Sequence, residues 1–245
     1  MSDFLSFDTL SLHAGQTLDS EYGSRAQPIH QTTSYVFTDT DTASSLFNLE
    51  RGGHVYNRIS NPTVGVLEQR VAALEGGSAS VCVASGMSAV FCALTALVSQ
   101  GDHVVASANM YGGNISLLKN TLPRFGITAT FVDPTDIKEI ESAIQENTKI
   151  IFGELIGNPG LSVMDIEAVS KICSKHHLPL MIDGTFNTPY LCRCFEYGAN
   201  IIVHSLTKWM GGHGTSIGGV VVDLSLIHIS EPTRRYAISY AVFCL

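Results

Sequence analysis

The sequence predicts an α/β protein: a mostly parallel sheet covered by helices on both faces. Three observations predict it. Short, uniformly apolar runs alternate with stretches of helical length, as in parallel strands joined by helical crossovers. Hydrophobic residues make up 45% of the 245 residues and charged ones only 15%, which suits a thick buried sheet better than a disordered or coiled-coil chain. Residues able to carry chemistry fall directly after the apolar runs, at the edge where such sheets bind ligands.

Residues 1–60 are rich in Thr, Ser, Asp and Gly and show few periodic apolar positions. They read as an irregular N-terminal arm, ordered where it wraps onto something, a partner subunit included. Asn61 then reads as a helix N-cap with Pro62 at the first helical position. Val66, Leu67, Val71 and Leu74 mark the apolar face, and Gly76-Gly77 ends the helix. Residues 76–101 carry no charge and are long enough to span a bilayer. Ala84-Ser85-Gly86-Met87-Ser88 interrupts them, so a buried strand at 80–84, a tight turn and a buried helix over 88–99 are predicted instead. Further strands are predicted at 103–106, 128–132, 149–155, 178–182, 201–204 and 219–223, with helices over 136–146 and 165–177.

Several function classes lose support. Net charge is −8 and no basic cluster appears, which argues against a nucleic-acid partner. Cys82, Cys92, Cys173, Cys192, Cys194 and Cys244 follow no disulfide framework or zinc spacing and read as free thiols, and no metal site is expected. No signal peptide precedes Met1-Ser2-Asp3, and the chain reads as cytoplasmic.

Five groups end up at one edge of the expected sheet: Ser85-Gly86-Met87, Tyr111-Gly112-Gly113, Asn158, Asp183, and Ser205-Leu206-Thr207-Lys208. Each alone has a plain structural reading, as a turn, a core cap or the cap of a turn; together they describe a site. An amine held against apolar neighbours loses solvation of its charged form and gains nucleophilicity toward a carbonyl, and Lys208 follows an apolar run. Flanking hydroxyls and glycines suit a phosphate, as does the helix start at Ser85-Gly86-Met87. Asp183 can hold a protonated pyridinium nitrogen, Tyr111 can stack over the ring and relay protons, and Asn158 can bind a phenolic oxygen. These features converge on pyridoxal 5'-phosphate joined to Lys208. The other lysines, Lys119, Lys138, Lys149, Lys171 and Lys175, offer no such setting.

The order and spacing of Tyr56-Asn57-Arg58-Ile59-Ser60-Asn61-Pro62-Thr63, Ala84-Ser85-Gly86-Met87, Tyr111-Gly112-Gly113, Glu154 with Asn158-Pro159, Asp183-Gly184-Thr185-Phe186 and Ser205-Leu206-Thr207-Lys208 resemble the Cys/Met-metabolism family of pyridoxal-phosphate enzymes. The resemblance covers residues from about 8 to 223. It implies the large domain of the aspartate-aminotransferase-like fold, here 61–223. Leu10 to Gln16, Gln31 to Phe37, 122–127 and Trp209-Met210-Gly211-Gly212-His213-Gly214 look most like O-acetylhomoserine sulfhydrylases within that family.

The resemblance further implies that Gly86, Met87, Ser205 and Thr207 bind the phosphate, with Tyr56 and Arg58 reaching a neighbouring subunit's phosphate in a homodimer or homotetramer. A guanidinium suits that role. The implied reaction is γ-replacement on an O-acylated homoserine, in methionine or cysteine biosynthesis. Cystathionine γ-synthase or γ-lyase activity, or a fragment that binds cofactor without turnover, are the alternatives. After Asp223 the resemblance is expected to stop: 224–245 read as an unrelated tail, and the substrate-carboxylate arginine and small C-terminal domain of the family have no counterpart.

Two hydrolase patterns compete. Ser205-Leu206-Thr207-Lys208 fits S-x-x-K but lacks companion S-D-N and K-T-G elements, and Gly214-Thr215-Ser216-Ile217-Gly218 fits G-x-S-x-G, which requires a following helix where a strand is predicted. Neither a dinucleotide fingerprint nor a P-loop occurs.

Overall fold

The computed structural model describes residues 5–224; Cys244 and the expected tail beyond Leu224 lie outside them. Contacts divide the chain into two compact units, Met1–Val71 and Ala72–Leu245.

The first unit is more regular than its composition predicts. Helix α1 (Phe7–His13) starts where the Ser6 hydroxyl accepts from Thr9 N, and α2 (Thr40–Phe47) where the Asp39 carboxylate accepts from Thr42 N at 2.6 Å. Both are short, so local propensity alone does not sustain them. Helix α3 (Pro62–Glu75) has the expected bounds. Asn61 Oδ1 accepts from Thr63 N and Val64 N, and Gly76 supplies the left-handed φ of 75° that stops the helix.

The second unit is built on seven strands: β1 (Ala79–Val83), β2 (His103–Ser107), β3 (Thr128–Val132), β4 (Thr148–Glu154), β5 (Leu180–Asp183), β6 (Ile201–Ser205) and β7 (Gly219–Asp223). Their spatial order is β1-β7-β6-β5-β4-β2-β3. The β3-β2-β4-β5-β6 run is parallel throughout, and β7 alone is antiparallel, to β6 on one side and β1 on the other. The sheet is therefore mostly parallel, as expected.

Helix α4 (Gly86–Leu97) follows β1, and the uncharged stretch 76–101 resolves into strand, turn and buried helix. Among the described residues no helix is long and apolar enough to cross a membrane. Ala89, Val90, Ala93 and Leu94 of α4 pack in one core cluster with Val104, Ala106, Phe152, Met181, Val203 and Val221. The alternate strand residues Val105, Ile151, Ile182, Ile202 and Val222 are buried too, so both faces of the sheet are covered. Full burial of each such side chain stabilises the fold by about 1.5–3 kcal/mol.

Short α5 (Gly112–Ser116) follows β2, α6 (Ile137–Ser142) follows β3, α7 (Ile166–Lys175) precedes β5 and α8 (Thr188–Leu191) follows it. Asp136 and Asp165 cap α6 and α7 as the sequence predicts, though α6 ends four residues before the expected 146.

Candidate active site

Five loops leave the carboxyl edge of the sheet close together, and local chemistry fixes each of them. After β1, the Ser85 hydroxyl accepts from Ser88 N at 3.1 Å and so caps α4. The opening N–H groups of α4, at Gly86 and Met87, carry the positive end of its dipole. Glycine is required here: a Cβ on Gly86 would lie 2.5 Å from Ser205 Cβ, and one on Gly219 would lie 2.0 Å from Ser85 O. The start of α4 thus sits against the end of β6 and the start of β7.

After β6, Ser205 N donates to Thr185 Oγ1 at 2.8 Å, and Thr185 N donates to Asp183 Oδ1 at 2.9 Å. Asp183, the last residue of β5, is thereby held half-buried at the strand end. The Thr207 hydroxyl accepts from Gly218 N at 3.1 Å and donates to Gly218 O at 3.3 Å, which closes the loop carrying Lys208. Lys208 itself is exposed. The burial by which the sequence reading explained its reactivity is not found, because the turn after β6 lifts the side chain off the apolar strand.

After β2 and β4, the organising group is Glu154, a residue that the sequence reading noted only within a motif. Its Oε1 accepts from Tyr111 N at 2.7 Å and from Asn114 Nδ2 at 3.1 Å, and its Oε2 accepts from Asn158 N at 3.0 Å. Burial, and then the negative charge of Asp183, push its pKa up to about 7 against the pull of these three donors. The two carboxylates are register partners on neighbouring strands. The signal that could have found it is an acid closing an apolar strand just ahead of polar loop residues.

These loops enclose a cavity of about 640 Å³, within the usual range for small-molecule sites. Ser85, Gly86, Met87, Tyr111, Asn158, Asp183, Ser205, Thr207 and Lys208 all line it. Asn114, Glu154, Thr185 and Trp209 join them, with Val90, Ile156, Phe186 and Ile217 as apolar wall. Asn114 Oδ1 is buried there without a hydrogen-bond partner. The remaining two predicted residues belong to the first unit, where Tyr56 is 44% exposed and the Arg58 guanidinium stands 5.8 Å from its ring centre.

The G-x-S-x-G reading fails on geometry, since strand β7 and not a helix follows Gly218.

Comparison with known proteins gives a consistent result. The model of a family described as Cys/Met metabolism PLP-dependent enzyme matches residues 8–237, a span that runs past the described residues. A homocysteine synthase of Schizosaccharomyces pombe is 47% identical over 231 residues, 94% of this chain and 54% of the relative. An O-acetyl-L-homoserine sulfhydrylase of Leptospira meyeri is 50% identical over 216 residues, 88% of this chain and 49% of the relative. A crystal structure from Campylobacter jejuni, which carries N'-pyridoxyl-lysine-5'-monophosphate, superposes with a TM-score of 0.87 at 42% identity, covering 89% of this chain and 54% of that one. The chain spans about half the length of the curated relatives it matches.

Proposed function

Because this chain belongs to the Cys/Met-metabolism family of enzymes dependent on pyridoxal 5'-phosphate, we propose that its cavity seats that cofactor for γ-replacement on O-acetyl-L-homoserine. Sulfide or a small thiol takes the place of acetate, giving homocysteine or its thioether. The donor set supports the fit. A helix N-terminus and the Ser205 hydroxyl, brought together where a Cβ on Gly86 would clash, suit the phosphate. Asp183 suits a protonated ring nitrogen, and Lys208 an aldehyde. The unpartnered Asn114 Oδ1 leaves one buried acceptor for a bound molecule.

When bound, the cofactor supplies an electron sink for carbanions at Cα and Cβ of the substrate. The chain's own residues do the rest. Gly86 and Met87 N–H groups and the Ser205 hydroxyl hold the phosphate. Ser85 and Thr207, whose hydroxyls are taken up by Ser88 and Gly218, fix the two turns around it. Asp183 keeps the ring nitrogen protonated, and Asn158 binds the phenolic oxygen. The Tyr111 ring, 51% exposed, covers the cofactor ring. Lys208 Nζ takes the Cα proton and then relays protons at Cβ, with the Tyr111 hydroxyl sharing the transfers. Acetate leaves from Cγ, sulfur adds there, and the same groups return the protons.

The observation that carries this reading is the convergence of Lys208, Asp183, Tyr111 and the start of α4 on one cavity. The names of the two relatives support the choice of substrate and sulfur donor. Homocysteine formation from O-acetylhomoserine and sulfide, with the Lys208→Ala chain as blank, is the test. Turnover of cystathionine alone would move the activity to the cystathionine γ-synthase or γ-lyase type. Saturable cofactor binding without turnover of either would leave a cofactor-binding fragment.

On the same reading residues 1–60 are an arm and 61–223 the cofactor-binding domain. The enzyme works in the cytoplasm as a homodimer or homotetramer, with Tyr56 and Arg58 serving a neighbouring subunit's phosphate. Sedimentation at the monomer mass would remove the shared site.

A further inference from the structure

Glu154 has no role in the mechanism above, yet it joins the loops around the cofactor ring. It ends β4 and is 5% exposed. Three N–H donors converge on it, and two of them are main-chain groups of Tyr111 and Asn158, the residues assigned to the ring. Its register partner across the sheet is Asp183, the residue assigned to the ring nitrogen. The charge acting most on it from a neighbouring element is that of Asp183. Tyr111 and Lys208 are the other titratable groups lining the cavity.

A buried carboxylate beside another carboxylate is a poor structural choice, because desolvation and like charge both oppose its ionisation. A cation placed at Asp183 relieves that opposition. Resting on the cofactor reading, we propose that Glu154 is a positioning residue for the cofactor ring: it clamps Tyr111 and Asn158 at a fixed separation, and its charge, added to that of Asp183, selects a cationic ring nitrogen. Ring binding and ionisation of Glu154 then favour one another, each by the same factor.

Glu154→Gln separates these effects from simple scaffolding. The amide keeps the shape and one acceptor for Tyr111 and Asn114, but sets an N–H donor against Asn158 N–H and carries no charge. Trp209, the single tryptophan, lines the cavity and reports binding of pyridoxal 5'-phosphate through its fluorescence. For Glu154→Gln we expect the Kd to rise about tenfold at pH 8.5, the size of one charged hydrogen bond. At pH 6, where Glu154 of the unaltered chain holds its own proton, the two chains should agree within about twofold. Glu154→Asp keeps the charge on a shorter arm and should fall between them at pH 8.5. Equal Kd values for Glu154→Gln and the unaltered chain at both pH values would overturn the proposal. So would an equal loss at both, the mark of a scaffold role alone. Asp183→Asn separates the two levels of inference. Saturable quenching that weakens in Asp183→Asn and not in Glu154→Gln overturns the role of Glu154 only, whereas no saturable quenching in the unaltered chain overturns the site reading beneath it.

Discussion

Two glutamates of the second unit are buried almost equally, Glu75 at 1% exposure and Glu154 at 5%, and they are partnered in opposite ways. Glu75, at the end of α3, meets His204 of β6 with Oε1 2.5 Å from Nε2. That pair belongs to the core: both side chains are fully enclosed, and Glu75 Oε2 and His204 Nδ1 find no other partner. Glu154 meets backbone and amide N–H groups on the two segments that follow β2 and β4, and a second carboxylate on the next strand. The two arrangements mark two kinds of buried acid. One matched to a single side chain of the fold fastens elements together, whereas one matched to loop N–H groups beside a like charge suits the positioning role proposed for Glu154.

The largest effect is expected at Glu75. Glu75→Ala strands His204 with neither ring nitrogen paired, and a loss of about 3 kcal/mol is expected. Urea unfolding measures it, and a loss near zero would mean that the pair fastens nothing. A smaller effect comes from Glu154 through pH. Its folded-state pKa, about 7, lies above the ordinary 4.5, so the folded chain takes up a proton across that window and the unfolded chain does not. The stabilising contribution is fully present below pH 4.5 and is lost as pH rises through 7. Between pH 5 and pH 7.5 it changes by about 2 kcal/mol in the chain without cofactor, and the Glu154→Gln chain should lack that slope. Identical slopes in the two chains would remove the like-charge account. The smallest effect belongs to a third glutamate on the surface. Glu167 and Lys171 pair at 2.9 Å on α7 with both side chains well exposed, and solvent screens such a pair. Lys171→Ala should unfold at the same urea midpoint as the unaltered chain.

Much of the fold was legible because it rests on local signals. Uniform apolar runs located every strand of the sheet, and Asn61-Pro62 with Gly76-Gly77 bounded α3 to the residue. Capping residues also announced α1 and α2, at Ser6 and Asp39, but the polar composition around them masked that signal. The direction of β7 was not legible, since an apolar run looks the same in either direction. Within the site, residues whose role follows from chemical type at a strand end were legible: Asp183, Ser205 and Gly86 all line the cavity. The exposure of Lys208 depends on how the loop that follows it closes through Thr207 and Gly218, and no property of its neighbours in sequence reports that. The clamp at Glu154 joins residues 43 and 40 positions upstream and four downstream, so only the folded chain assembles it.

The antiparallel strand β7 also sets a timetable. Among the described residues it is the sheet neighbour of β1, and Ala79 is paired with Asp223. A ribosome adding about 5–20 residues per second needs roughly 7–30 s to travel between those two positions. Through that interval β1 has no strand to join, while the parallel strands from β2 to β6 are made one after another. The stretch 76–101, without a single charge, therefore holds an apolar strand that waits for its sheet neighbour. The start of α4 meets both Ser205 and Gly219 only once β7 joins the sheet, so that corner of the cavity is the last to form.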